Sequence, residues 1–80
     1  MTKVRARKSL AQFTRYMEVR LRENDYKKGW RDMSREELLT RLLEEIIELA
    51  TARTDEDRTK ECCDVANFAM MIFDNIINDW

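Results

Sequence analysis

Residues 34–52, SREELLTRLLEEIIELATA, decide how this 80-residue chain is read. Ser34-Arg-Glu-Glu37 is a capping box: the Ser hydroxyl accepts from the amide three residues on, and Glu37 reaches back to the first amide. That fixes the start of a helix predicted over about 34–52. At about 100° per residue, Leu38, Leu39, Leu42, Leu43, Ile46, Ile47, Leu49 and Ala50 fill roughly half of its circumference. Such a band is too wide for a surface helix that touches one neighbour, so this helix is expected to be central and to contact several others.

Working outward, the N-terminal side predicts a helix over about 8–23, with Leu10, Phe13, Met17 and Leu21 at three- and four-residue steps. Residues 1–7 ahead of it read as a frayed basic arm. Asn24 to Met33, which holds the lone glycine, Gly29, reads as a connection. On the C-terminal side, Thr51 to Arg58 supplies a polar turn with a second cap at Thr54. A third helix follows over about 55–79, burying Cys62, Val65, Ala66, Ala69, Ile72, Phe73, Ile76 and Ile77. With no Pro and one Gly, the chain is expected to be all-α.

A single domain spanning 1–80 buries only about 60% of the surface its unfolded form exposes. Against that thin core, 44% of the residues are hydrophobic. Oligomerisation is therefore expected. No apolar run approaches the roughly 20 residues of a membrane span, and Met1 to Leu10 lack the apolar stretch of a signal peptide. A cytoplasmic protein without a membrane partner is expected. Cys62 and Cys63 are adjacent in a predicted helix, where an ordinary bridge does not fit, so no disulfide framework is expected. Histidine is absent, which removes the commonest general base and transition-metal ligand. Catalysis, if present, must run on carboxylates and metal.

The charges are unevenly distributed. Residues 1–31 hold ten Lys/Arg against three acids, and residues 32–80 hold five against thirteen. The two parts should attract each other, and a polyanion such as a triphosphate fits their boundary. The basic residues Lys3 to Lys8 come without a helix-turn-helix or an aromatic-basic platform, so nucleic acid is not the expected partner.

Two acidic pairs carry the chemistry, Glu45-x-x-Glu48 and Glu61-x-x-Asp64. Residues three apart project from one helix face, and a hairpin of the second and third helices would bring all four carboxylates together. Oxygen-only clusters suit Mg²⁺ or Mn²⁺, which in turn bind phosphate oxygens. Glu45 and Glu48 lie at an edge of the apolar band with Arg41; Glu61 and Asp64 share an edge with Asn67, Phe68, Met71 and Asn75. Large apolar side chains among the acids suggest a cleft or interface rather than a solvated face. The plainer alternative is local ion pairing, Arg41 with Glu45 or Lys60 with Asp64. Glu44 or Glu45 could orient or deprotonate the attacking water, and the sequence leaves the choice open.

Gly29-Trp30, Leu42-Leu-Glu-Glu-Ile-Ile-Glu-Leu49 and Glu61-Cys-Cys-Asp-Val-Ala-Asn-Phe-Ala-Met-Met71 together resemble the MazG-type nucleotide pyrophosphohydrolases of the all-α NTP pyrophosphatase superfamily. The family's E-E-x-x-E … E-x-x-D signature falls on Glu44, Glu45, Glu48, Glu61 and Asp64. The resemblance implies Mg²⁺-dependent hydrolysis of a nucleoside triphosphate to the monophosphate and pyrophosphate, nucleotide-pool house-cleaning, and a three-helix chain forming a four-helix-bundle-like core by dimerisation, as a homodimer or dimer of dimers. The chain departs from most relatives in ending near its third helix, which leaves open whether a partner subunit closes the base pocket. Substrate-binding candidates are Asn67 for phosphate or sugar, Lys28 for phosphate, Trp30 for the base, and Lys60, where many relatives carry Glu. The alternatives are a phosphoribosyl-ATP pyrophosphohydrolase-like enzyme and a non-enzymatic, oligomerising helical interaction module.

Overall fold

A computed structural model describes residues 3–24 and 29–80. Lys28, a phosphate-binding candidate, lies outside them, as do Asp25, Tyr26 and Lys27. The described residues form three α-helices, α1 (Lys8–Glu23), α2 (Arg35–Thr51) and α3 (Asp55–Ile77), with a 3₁₀ turn at Trp30–Asp32 and no strand. None of these helices is long and apolar enough to cross a membrane.

Local chemistry sets the helix starts. Ser34 Oγ accepts from the Glu37 amide at 3.1 Å and Glu37 Oε1 accepts from the Ser34 amide at 3.1 Å, completing the capping box of α2. Thr54 Oγ1 accepts from the Asp57 amide at 3.0 Å and opens α3, whose first turn holds Asp55, Glu56 and Asp57 against the positive end of the helix dipole. α1 starts without a side-chain cap or an acidic first turn. Residues 3–7 before it are exposed and carry no helix.

α2 and α3 pack as an antiparallel hairpin, and α1 lies against α3. The third helix is shorter than the predicted 55–79: it stops at Ile77, Asn78 caps it through its amide to Asp74 O, and Asp79 sits at φ 57°. Asp accepts that left-handed conformation more readily than most residues, and it turns the chain off the helix axis. Trp80 then folds back, donating from Nε1 to Met33 O at 3.2 Å beneath the Arg35 guanidinium.

The inward faces differ from the expected ones. The fully buried hydrophobic residues among those described are Leu38 and Cys63, joined by Glu45, Asn67 and Asn75. Leu39, Leu43, Ile46 and Ile47 of α2 are exposed instead, as are Phe73, Ile76 and Ile77 of α3. Cys62 and Ala69 also face outward. α2 therefore turns its Leu38–Leu42–Glu45–Leu49 stripe toward α3, at the three- and four-residue steps of one helix face. On α3, the edge that bears Glu61, Asp64, Asn67, Phe68, Met71 and Asn75 is covered, while the more hydrophobic flank at Phe73, Ile76 and Ile77 is open.

Candidate metal centre and adjoining cavity

Glu45 occupies the middle of the α2 stripe, where regular packing would place an aliphatic side chain, and it is only 4% exposed. Across the hairpin, Glu61 and Asp64 stand one turn apart on α3. One oxygen from each of Glu45, Glu61 and Asp64 lies within 4.8 Å of the others. Two oxygens bound to one Mg²⁺ at about 2.1 Å are at most about 4.2 Å apart, so small side-chain movements would let the three share an ion. Glu48 is within hydrogen-bonding reach of Glu45 and Glu61 but stays more exposed, at the rim of the group. The four carboxylates expected from the sequence thus converge as three plus a neighbour.

The environment penalises the charges of Glu45 and Glu61. Burial, then the hydrogen bonds to Glu48 and Glu61, push the Glu45 carboxyl up to about 7, with Arg41 opposing. Burial also raises Glu61; the Glu48 and Asp64 charges add to the rise and a hydrogen bond from Glu45 works against it. Near neutrality a proton on Glu45 can therefore bridge to its neighbours and relieve their repulsion. Arg41 donates to Glu44 at 2.6 Å and to Glu45 at 3.1 Å, with its guanidinium over the Phe68 ring. Arg20 of α1 grips Asp64 through two bonds, Nε to Oδ1 at 3.0 Å and Nη2 to Oδ2 at 2.8 Å.

The cluster opens onto a cavity of about 440 Å³, within the range of small-molecule sites. Trp30, Phe68, Met71 and Leu21 form apolar wall, while Arg20, Arg41, Asn67, Asp64 and Glu45 bring polar groups to it. The 3₁₀ turn that carries Trp30 is held to α3 by side-chain bonds. Trp30 Nε1 donates to Asp74 at 3.0 Å, Asn75 Nδ2 donates to Trp30 O at 3.1 Å, and Arg31 donates to Asn75 Oδ1 at 3.0 Å. Asn67 donates to Met17 O at 3.0 Å, tying α1 to α3.

Among the described residues, two buried side-chain acceptors have no hydrogen-bond partner, Glu61 Oε2 and Asn67 Oδ1. Buried polar atoms are nearly always satisfied, and Glu61 Oε2 belongs to the carboxylate group that a cation would draw together. With an all-oxygen donor set, the residues fit a hard divalent cation. The neighbouring Cys63 thiol, pushed up mainly by burial, stays neutral and offers no thiolate for a softer metal.

Of the remaining sequence candidates, Asn67 and Trp30 line the cavity. Glu44 turns to Arg41, half exposed and outside the group of three. Lys60 pairs with Glu56 at 3.6 Å and stands at a second, smaller hollow beside Tyr16 and Cys63, away from the main cavity wall. The Lys60–Asp64 pair considered from spacing does not form, because Arg20 holds Asp64; the Arg41–Glu45 pair does. Arg20 itself escaped the sequence reading, since its partner is 44 residues away. Its signal was position: Arg20 and Asn24 share the helix face of Met17 and Leu21, so a cation there had to point inward. Comparison of the chain with models of protein families, with curated proteins and with solved structures returns no match.

Proposed function

We propose that the protein is a divalent-cation-dependent nucleoside triphosphate pyrophosphohydrolase of the MazG type, releasing the monophosphate and pyrophosphate in nucleotide-pool house-cleaning. The observation that carries this reading is the convergence of Glu45, Glu61 and Asp64 from two helices beside a partly apolar cavity. Glu45, Glu61 and Asp64 would hold Mg²⁺, or Mn²⁺, with Glu48 at its edge. A bound ion would supply charge neutralisation at the phosphate oxygens and acidify a coordinated water.

The chain's own residues account for the rest. Glu45 or Glu44 would orient the attacking water or take its proton, Glu44 from the Arg41 side. Trp30 and Phe68 offer flat apolar surface to a nucleobase, and Asn67, on the same cavity wall, would stand near the phosphate or sugar. The exposed apolar stripes of α2 and α3 support assembly as a homodimer or dimer of dimers, in which a second subunit would complete the base pocket.

Those same stripes favour a second reading, a non-enzymatic helical interaction module. Pyrophosphate release from a panel of canonical and damaged triphosphates and phosphoribosyl-ATP, at millimolar Mg²⁺, separates the readings and locates the substrate. Glu61→Gln is expected to lower kcat/KM by about a hundredfold or more, the scale of a lost proton-transfer or charge-stabilising group, with helix content retained. Absence of turnover on every substrate, with the same assembly state in wild type and variant, favours the interaction module.

A further inference from the structure

Asp64 is already paired in the acidic cluster. Both of its oxygens are engaged by the guanidinium fork of Arg20, whose side chain is 24% exposed and which comes from α1 rather than from the hairpin that carries the other acids. Among the described residues Arg20 is the basic side chain bonded to Asp64; Arg41, the second cation on the cavity wall, is committed to Glu44 and Glu45. Arg20 and Asp64 line the cavity together. Asn67, 4% exposed, lines the same wall and ties it to α1 through its bond to Met17 O.

This arrangement sets up a competition. A divalent cation shared by Glu45, Glu61 and Asp64 would bind an Asp64 oxygen directly beside the guanidinium, and the two positive charges repel at that distance. The fork that fits the edge of a carboxylate also fits two oxygens of a phosphate group, which a point charge such as Lys does not match. Resting on the reading of the cluster as a cation site, we propose that Arg20 is a phosphate-binding residue held in reserve on Asp64: the cation displaces it, and the released guanidinium takes up the phosphate oxygens of the incoming triphosphate. Cation and triphosphate then bind cooperatively, because the second ligand re-pairs the charge that the first has freed.

The test uses the full chain and two variants, Arg20→Gln and Arg20→Lys, with helix content checked by circular dichroism. Free Mn²⁺ is followed by electron paramagnetic resonance without nucleotide; binding of an α,β-methylene triphosphate is followed at saturating Mn²⁺. Arg20→Gln is expected to bind Mn²⁺ about fivefold tighter or more, and the triphosphate analogue about tenfold weaker or more. Arg20→Lys, which keeps the charge but loses the fork, is expected to move the same way by smaller factors, and decides the matter alone if Arg20→Gln does not fold. Mn²⁺ affinity unchanged in the variants, or analogue affinity unchanged while Mn²⁺ tightens, overturns the role of Arg20 and leaves the cation site standing. Mn²⁺ binding by none of the three proteins overturns the cation site itself, and this inference with it.

Discussion

Glu45 concentrates the conflict between folding and chemistry in one side chain. It sits in the middle of the packed face of α2, and its carboxyl is pushed up to about 7, by burial first and then by Glu48 and Glu61. In the unfolded chain the same group titrates near 4.5. Between those values the folded state holds a proton that the unfolded state has lost. Its contribution is therefore fully present below pH 4.5 and is lost as pH rises through about 7, at a scale of roughly 3 kcal/mol. In EDTA, urea midpoints should be lower at pH 8 than at pH 5, and Glu45→Gln should remove most of that slope; equal midpoints for wild type at both pH values would sink the account. Sequence spacing singled out Glu45, Glu48, Glu61 and Asp64, because three-residue steps on a helix are local geometry. It could not find Arg20 as the partner of Asp64, because that pairing exists only after α1 docks on α3.

At the scale of elements, helix starts follow short-range rules and were readable. Ser34 and Thr54 both cap through side-chain bonds to the residue three positions on. Ser34→Ala is expected to cost about 1 kcal/mol in urea denaturation, without altering the cavity. The 3₁₀ turn belongs to a different class. Asn75, fully buried, accepts from Arg31 and donates to Trp30 O, so one α3 side chain anchors the turn that presents Trp30 to the cavity. Asn75→Ala leaves both partners unsatisfied; the expected cost is about 1–3 kcal/mol, together with a change in Trp fluorescence as the turn loosens. An unchanged spectrum and midpoint would show that Trp30 Nε1 on Asp74 is anchor enough. The sequence placed Asn75 on the same edge as the acids but gave no sign of this task, which depends on a residue 45 positions away.

For the molecule as a whole, the radius of gyration is 13.6 Å, against about 12 Å for a compact 80-residue domain. The single chain is open, with hydrophobic residues such as Ile47 (62% exposed) and Phe73 (61%) facing out. If these stripes meet a second copy, wild type should sediment at a multiple of the chain mass, and Ile47→Glu combined with Phe73→Glu should sediment as one chain. A monomeric wild type at micromolar concentration would refute assembly through these faces. The amino-acid order by itself determined the all-helical class, the two capped starts and the presence of acid pairs at one-turn spacing, since each depends on neighbours within about four residues. Only the tertiary structure decided which half of the wide apolar band on α2 turns inward, that Glu45 would be buried there, and that Arg20 would close on Asp64. A band covering half a helix is compatible with several orientations, and the one adopted is chosen by contacts between residues that are distant along the chain.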